Sequence, residues 1–196
     1  MFSEKRNGTF VEIGADDGVD KSNTLFFEKN LSWGGICVEP SPKRFKLLSE
    51  NRECICENYA IAESEGEVEF MDISGYGKGL SGIVDSYNPK HKDRIEEEIN
   101  HPDNQGYEMI QVSTMPMSSL LEKNGISHVD FCTIDTEGSE LQVLKSIDFE
   151  RCQFDVLLVE NNYEENSVEK FLGNIGFIFE IKVGIDDVYI NKKFIR

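Results

Sequence analysis

Four short stretches of this chain bring together residue types that could do chemistry. The first, FVEIGADDGVDKSNT, closes an apolar run with Glu12 and passes through Gly14 and Gly18. Glycines at that spacing permit a tight turn where backbone can approach a ligand, and free N–H groups at the start of a following helix attract an anion. Glu12 beside such a turn could take up an ammonium group, directly or through water, so one loop could hold both ends of an amino-acid zwitterion. The second stretch, ICVEP, sets Glu39 after three apolar residues and before a proline stop. A carboxylate one βαβ step beyond a glycine turn is placed to accept hydrogen bonds from both hydroxyls of a ribose.

The third and fourth stretches are acidic. IDTEGSE presents Asp135, Glu137 and Glu140 at a strand end and the start of its helix, and VENN presents Glu160 and Asn161 at the end of the next strand. If those strands are neighbours, Asp135, Glu160 and Asn161 gather oxygen ligands of the kind that Mg²⁺, Mn²⁺ or Ca²⁺ prefers. Without a metal, carboxylates converging on one pocket repel, and one of them stays protonated or is solvated. Glu140 lies where an acid simply favours a helix N-terminus. His128, just ahead of the strand, reads as a turn histidine rather than a base.

These residues need a scaffold that brings strand ends together. β-branched or aromatic runs at Thr9 to Ile13, Gly35 to Val38, Glu67 to Met71, Val129 to Ile134, Asp155 to Val159 and Phe177 to Ile181 read as strands, most bounded by Gly, Pro or Asn. Helices are expected between them: over Ser22 to Asn30, capped by Ser22 or Asn23, and over Ser41 to Asn51, capped by Ser41 with Pro42 in first position. A further short strand is expected at Val112 to Met115, and a helix at Ser118 to Asn124 closed by Gly125. Alternation of this kind implies an α/β fold with a doubly wound, mostly parallel sheet, ligands binding at its C-terminal edge. GFIFEIKVGIDDVYINKKF adds a closing antiparallel hairpin. Ser74 to Gly106 breaks the rhythm, with only Arg94 to Asn100 helical in character, and reads as an irregular lid covering the acceptor rather than the cofactor.

Composition narrows the partners. The chain has 196 residues, 20 basic against 37 acidic, and a formal charge of -17. That charge disfavours nucleic acid and anionic membrane surfaces. No apolar run reaches membrane-spanning length and the N-terminus lacks a signal-type apolar segment, so a cytoplasmic location is expected. Five cysteines, an odd number, argue for reduced thiols, and the C-x-C of Cys54 and Cys56 lacks the gap of a zinc knuckle. One domain over 1–196 is expected, with 74–110 as an insertion. The brief lead into the first strand suits a domain excised from something longer.

Taken together, FVEIGADDGVDKSNTLFFEKNLSWGGICVEPSPKRFKLLSENR, NYAIAESEG, DFCTIDTEGSELQVLKSIDF and DVLLVENN resemble the FkbM family of methyltransferases, in the family's order. The resemblance implies a seven-stranded Rossmann-like methyltransferase sheet, S-adenosylmethionine as cofactor, and O-methylation of a hydroxyl, often on a sugar such as a deoxyhexose of the rhamnose type. It implies cofactor contacts at Glu12, Gly14, Gly18, Asn23, Glu39, Pro40, Ala60 and Asp135, with Asn58 or Tyr59 near the adenine. It permits a metal on Asp135, Glu160 and Asn161 with Glu137 as base, and leaves room for association with another glycan-processing domain. One departure stands out: the family commonly has Lys where this chain has Thr133, so a mechanism needing a cation there is in doubt. Two other classes stay open, an NAD-dependent sugar-modifying enzyme, opposed by the missing G-x-G-x-x-G, and a non-catalytic domain that binds a cofactor or partners.

Overall fold

The computed structural model describes residues 2, 4–163 and 166–194. Its main sheet contains β1 (Thr9–Ile13), β2 (Gly34–Val38), β3 (Ile55–Glu57), β8 (His128–Ile134), β9 (Gln153–Glu160), β10 (Phe177–Val183) and β11 (Asp186–Asn191). Their spatial order is β10-β11-β9-β8-β1-β2-β3, all parallel except β11, which runs antiparallel to both its neighbours. The expected doubly wound sheet and closing hairpin are therefore present. Chain order reverses between β1 and β8, the point where a parallel sheet opens a crevice at its carboxyl edge.

The strands are continuous apolar runs because both faces of the sheet are covered. Val11, Ile13, Ile36, Val38, Cys132, Ile134, Leu157 and Val159 point to one layer, and Phe10, Cys37, Phe131 and Val156 point to the other, with Trp33 beneath them. Helices α1 (Leu25–Leu31), α2 (Pro42–Asn51), α4 (Met117–Lys123), α5 (Glu140–Lys145) and α6 (Ser167–Asn174) fill the connections. Ser41 caps α2 as its sequence foretells, its hydroxyl accepting from the Arg44 N–H, with Pro42 in the first turn. Helix α1 starts later than expected, at Leu25, since Ser22 and Asn23 are drawn into the glycine turn instead. All five cysteines are free thiols. Among the described residues no helix is long and apolar enough to cross a membrane.

The expected irregular lid over Ser74 to Gly106 is corrected by the structure. Residues 60–115 build a second sheet, β4-β7-β5-β6, from β4 (Ala60–Ile61), β5 (Gly66–Gly75), β6 (Gly82–Ile83) and β7 (Asn104–Met115), with α3 (Pro89–Glu98) between β6 and β7. Glu67 to Met71 accordingly belongs to this sheet, not to the main one, and Val112 to Met115 is only the end of a long strand. The strand signal was hidden because β7 shows most of its residues to water and carries no apolar alternation before Ile110. The segment enters and leaves the main fold at one place, where β4 and β7 pair in parallel, Ala60 with Thr114 and Ile61 with Met115.

Gly14 has a φ of +83°, and a Cβ added there would lie 1.8 Å from the Asp135 carbonyl oxygen. The glycine is thus required by the approach of the β1 and β8 ends to each other, before any ligand is considered. The sequence alone suggests that Gly14→Val loses binding with little loss of fold; the geometry reverses that expectation. Gly14→Val should fail to give a cooperatively folded protein, checked by a missing thermal transition in circular dichroism.

Candidate active site

The first strand delivers Glu12 into a buried knot. Its carboxylate accepts from the Thr24 hydroxyl at 2.6 Å, the Ser22 hydroxyl at 2.9 Å, the Asn23 backbone N–H at 2.9 Å and Arg52 at 3.2 Å. The Arg52 side chain, fully buried, also donates to Glu28, to the Gly18 carbonyl and to the Ser22 and Thr24 hydroxyls. Glu12 therefore holds the turn in shape, and the chain's own donors occupy the lone pairs expected to meet an ammonium group. Gly18 completes the knot: its φ is +78°, and a Cβ there would fall 2.6 Å from Arg52 Cγ and Leu48 Cδ1.

Above this knot lies a cavity of about 570 Å³, within the range of pockets that bind cofactors. It opens over the C-terminal ends of β1, β2, β8 and β9. Glu39, Pro40, Tyr59 and Ala60 line it on the β2 side and Glu160 on the β9 side, with Gly14 and Asp135 meeting between them and Glu137 grouped with Asp135 and Glu160. Glu39 is buried and accepts the backbone N–H groups of Asp16 and Ser41 at 3.0 and 2.8 Å. Burial pushes its pKa up to about 7, against the opposing pull of the Arg44 guanidinium. Asn23 lines the cavity and donates its side-chain amide to Thr133 Oγ1, the residue standing where a lysine was expected. Asn58 does not line it; its amide spans the Glu39 and Pro40 carbonyls and so shapes the edge indirectly, leaving Tyr59 as the ring that faces the cavity.

Asp135, Glu137 and Glu160 bring carboxylate oxygens within 4.8 Å of one another. Asp135 opens onto the cavity floor but is packed round by protein, and this desolvation raises its pKa; a hydrogen bond from Glu160 works the other way. Burial, then the charges of Asp135 and Glu137, raise Glu160 furthest of the three. Glu137 is pushed up to about 8, by burial first and Asp135 second. It sits in the left-handed region at φ +58°, and its buried Oε2 has no hydrogen-bond partner among the described residues. Glu140 instead folds back on its own turn, accepting from Thr136 and Gly138. Asn161, expected as a metal ligand, donates its side-chain amide to Asp187 at 2.7 Å, and Glu137 joins Asp135 and Glu160 in the carboxylate group. His128 lies at the opposite end of β8, a seven-residue strand about 20 Å long, and pairs with Asp155.

The second sheet roofs this cavity. Arg44 bonds Asp72, the Ile73 carbonyl and Ser81, tying the roof to α2. Lys78 reaches Asp16 at 2.8 Å and Asp20 at 3.1 Å, so the segment is fastened to the glycine turn. His91 of α3, fully buried, faces the Tyr163 hydroxyl at 3.0 Å and Glu137 Oε2 at 3.4 Å. Sequence reasoning missed Arg44, Arg52, Lys78 and His91. Basic residues in so acidic a chain were a usable signal for the first three, and the Asn88-Pro89 cap that sets the phase of α3 was one for His91.

Comparison with known proteins gives a consistent pattern. The model of the methyltransferase FkbM domain matches residues 12–179. Among solved structures, a crystal structure of methyltransferase FkbM from Methylobacillus flagellatus KT is similar with a TM-score of 0.52 at 13% identity, over 95% of this chain and 44% of that one. A human methyltransferase 10 domain containing protein follows at TM-score 0.46 and 11% identity, over 96% and 73% of the two chains. The chain spans less than half the length of the first of these. No curated protein matches it significantly in sequence.

Two outcomes follow from the knot and the carboxylates. Arg52→Ala, which strands Glu12 and Glu28 as buried charges, should destabilise the fold by about 3–5 kcal/mol in urea titrations. The raised carboxylates bind more protons folded than unfolded, so in chelator stability should fall as pH rises from near 4.5 through about 8. Glu160→Gln keeps a donor toward Asp135 and removes a charge; it should flatten that decline and raise the melting temperature at pH 8 by about 2–4 °C for each kcal/mol relieved. A wild-type melting temperature that climbs across this range would contradict the assignment.

Proposed function

Since the chain belongs to the FkbM methyltransferase family, we propose that it transfers the methyl group of S-adenosylmethionine to a hydroxyl of a sugar or glycan, a deoxyhexose being the first candidate. The observation that carries this reading is the presence in one cavity of two chemically distinct groups of residues. The Gly14 turn and Glu39 suit an amino-acid-bearing nucleoside, and three carboxylates suit a hydroxyl that must lose its proton.

In the proposed arrangement Glu39 accepts hydrogen bonds from the ribose hydroxyls, and the backbone of the Gly14 turn, held open by Glu12 and Arg52, receives the amino-acid end. Tyr59 and Ala60 flank the base, and Asn58 fixes the carbonyls behind it. In-line displacement then needs the acceptor oxygen aligned with the methyl carbon and deprotonated as attack proceeds. Glu137 is placed to receive that proton in its ionised form: its Oε2 makes no hydrogen bond among the described residues, with His91 Nδ1 standing 3.4 Å away, and its raised pKa makes it a stronger base than an ordinary carboxylate. Asp135 and Glu160 bind the acceptor's remaining polar atoms.

The same residues fit a hard divalent cation: the donors are all oxygen, they converge, and one of them is an orphaned buried atom. Asp135, Glu137 and Glu160 would hold Mg²⁺ or Mn²⁺, which when bound lowers the pKa of a neighbouring hydroxyl.

Transfer of labelled methyl from S-adenosylmethionine across a panel of glycosides tests the reading, and incorporation into none of them would refute it. Glu39→Ala should weaken cofactor binding by about 1.5–3 kcal/mol in calorimetry. Glu137→Gln should lower kcat by about 10²–10⁴, the scale of general-base catalysis, with cofactor affinity unchanged. Loss of transfer in chelator, restored by Mg²⁺ or Mn²⁺, would add the cation; full activity in chelator would leave Glu137 acting alone.

A further inference from the structure

We infer that a second cavity, behind the carboxylates, is a subsite for the uncharged polyhydroxyl unit adjoining the methylated one, so that the acceptor straddles the carboxylate wall. This rests on the sugar-acceptor reading above and adds to it the size and chemistry of the acceptor.

The cavity measures about 240 Å³, and Glu137 and Glu160 line both it and the larger one, so the two spaces share a wall. Its volume is below the roughly 300–1,000 Å³ of pockets that enclose a drug-sized ligand, which suits a single ring better than a long chain. Among the described residues no Lys, Arg or His lines it. The charged residues among its described lining are all acidic, which disfavours an anionic unit.

Part of the carboxylate wall is already bonded: Glu140 is taken up by Thr136 and Gly138, and Glu160 accepts from Asn162 at 2.5 Å. The other polar groups are neutral. Ser86, from the turn before α3, Gln142, from α5, and Ser167, from the start of α6, are half-buried around the space and have no side-chain hydrogen bond among the described residues. Two hydroxyls and an amide supply both donors and acceptors, the complement of a sugar ring whose every hydroxyl is both at once. Their origin in three separate elements sets them around the space, so that a ring is held in one orientation with its reacting neighbour at Glu137.

The experiment uses the full chain with labelled S-adenosylmethionine and methyl glycosides of rhamnose, fucose and glucose, each also as the corresponding disaccharide. The double variant Gln142→Leu/Ser167→Ala should raise KM for disaccharides about tenfold, the scale of one or two neutral hydrogen bonds. Its kcat and its KM for single-ring glycosides should stay as in wild type, and its circular dichroism should be unaltered. Saturation-transfer NMR of the disaccharides without cofactor reads the subsite independently of chemistry. Binding that is lost in the variant supports the subsite even if no sugar is methylated, in which case the O-methyltransferase reading falls alone. Disaccharide turnover identical in variant and wild type overturns the subsite and leaves that reading standing. Displacement of bound disaccharide by spermidine but not by a second neutral sugar also overturns it, in favour of a cationic occupant.

Discussion

The buried pairing of Glu12 with Arg52 is the constraint on which the rest of the site depends. Two charges removed from water are costly, and they are tolerated here because every face of the pair is answered: Ser22, Thr24, Asn23, Glu28 and the Gly18 carbonyl complete the set. The result is a loop whose course is over-determined. Gly14 and Ala15 both donate to the Val38 carbonyl, and Asp135 N–H donates to the Ile13 carbonyl, so the ends of β1, β2 and β8 are locked at one level. Glu39 and the carboxylate group then face each other across a gap set by strand spacing, not by flexible side chains.

A second charge pattern works above that platform. The Arg44–Asp72 pair and the Lys78 contacts to Asp16 and Asp20 place cations against an otherwise acidic rim. They fasten the small sheet where it passes the glycine turn. Burial raises Glu39, Glu137 and Glu160 alike; Arg44 opposes it at Glu39 and Arg94 at Glu137, while the neighbouring carboxylates push Glu137 and Glu160 further up. Thr133 belongs to the same account: an alcohol bonded to Asn23 stands where a lysine would have put a charge beside Asp135.

How much of this was legible beforehand depended on whether a residue's role followed from local pattern. The main sheet could be read because its strands are buried on both faces and announce themselves as apolar runs, and the hairpin because two such runs flank a Gly-Ile-Asp turn. Glu39, Asp135, Glu137 and Glu160 were visible as acids at strand ends. The second sheet was not, since most of β7 faces water and the few buried apolar residues of the segment are scattered over several elements. Nor was the Asn161–Asp187 bond: it depends on the register of β9 against β11, a contact between residues far apart in sequence. The part of Arg52 was hidden for a similar reason. It lies at the end of a helix forty residues after its partner, and nothing near it in the chain marks it as buried.

The parallel pairing of β4 with β7 has a consequence for how this architecture can diversify. Because Ala60 and Ile61 lie beside Thr114 and Met115, everything between them leaves and rejoins the main sheet through a single doorway. The path of the seven-stranded sheet does not depend on how far the chain travels before it returns, and the entropy of closing that excursion grows only slowly with its length. The roof is in effect a cassette: one of different size or lining could be exchanged at that doorway while the cofactor platform and the carboxylates kept their positions. The cavity lining supplied by the small sheet and that supplied by the main sheet can thereby change independently.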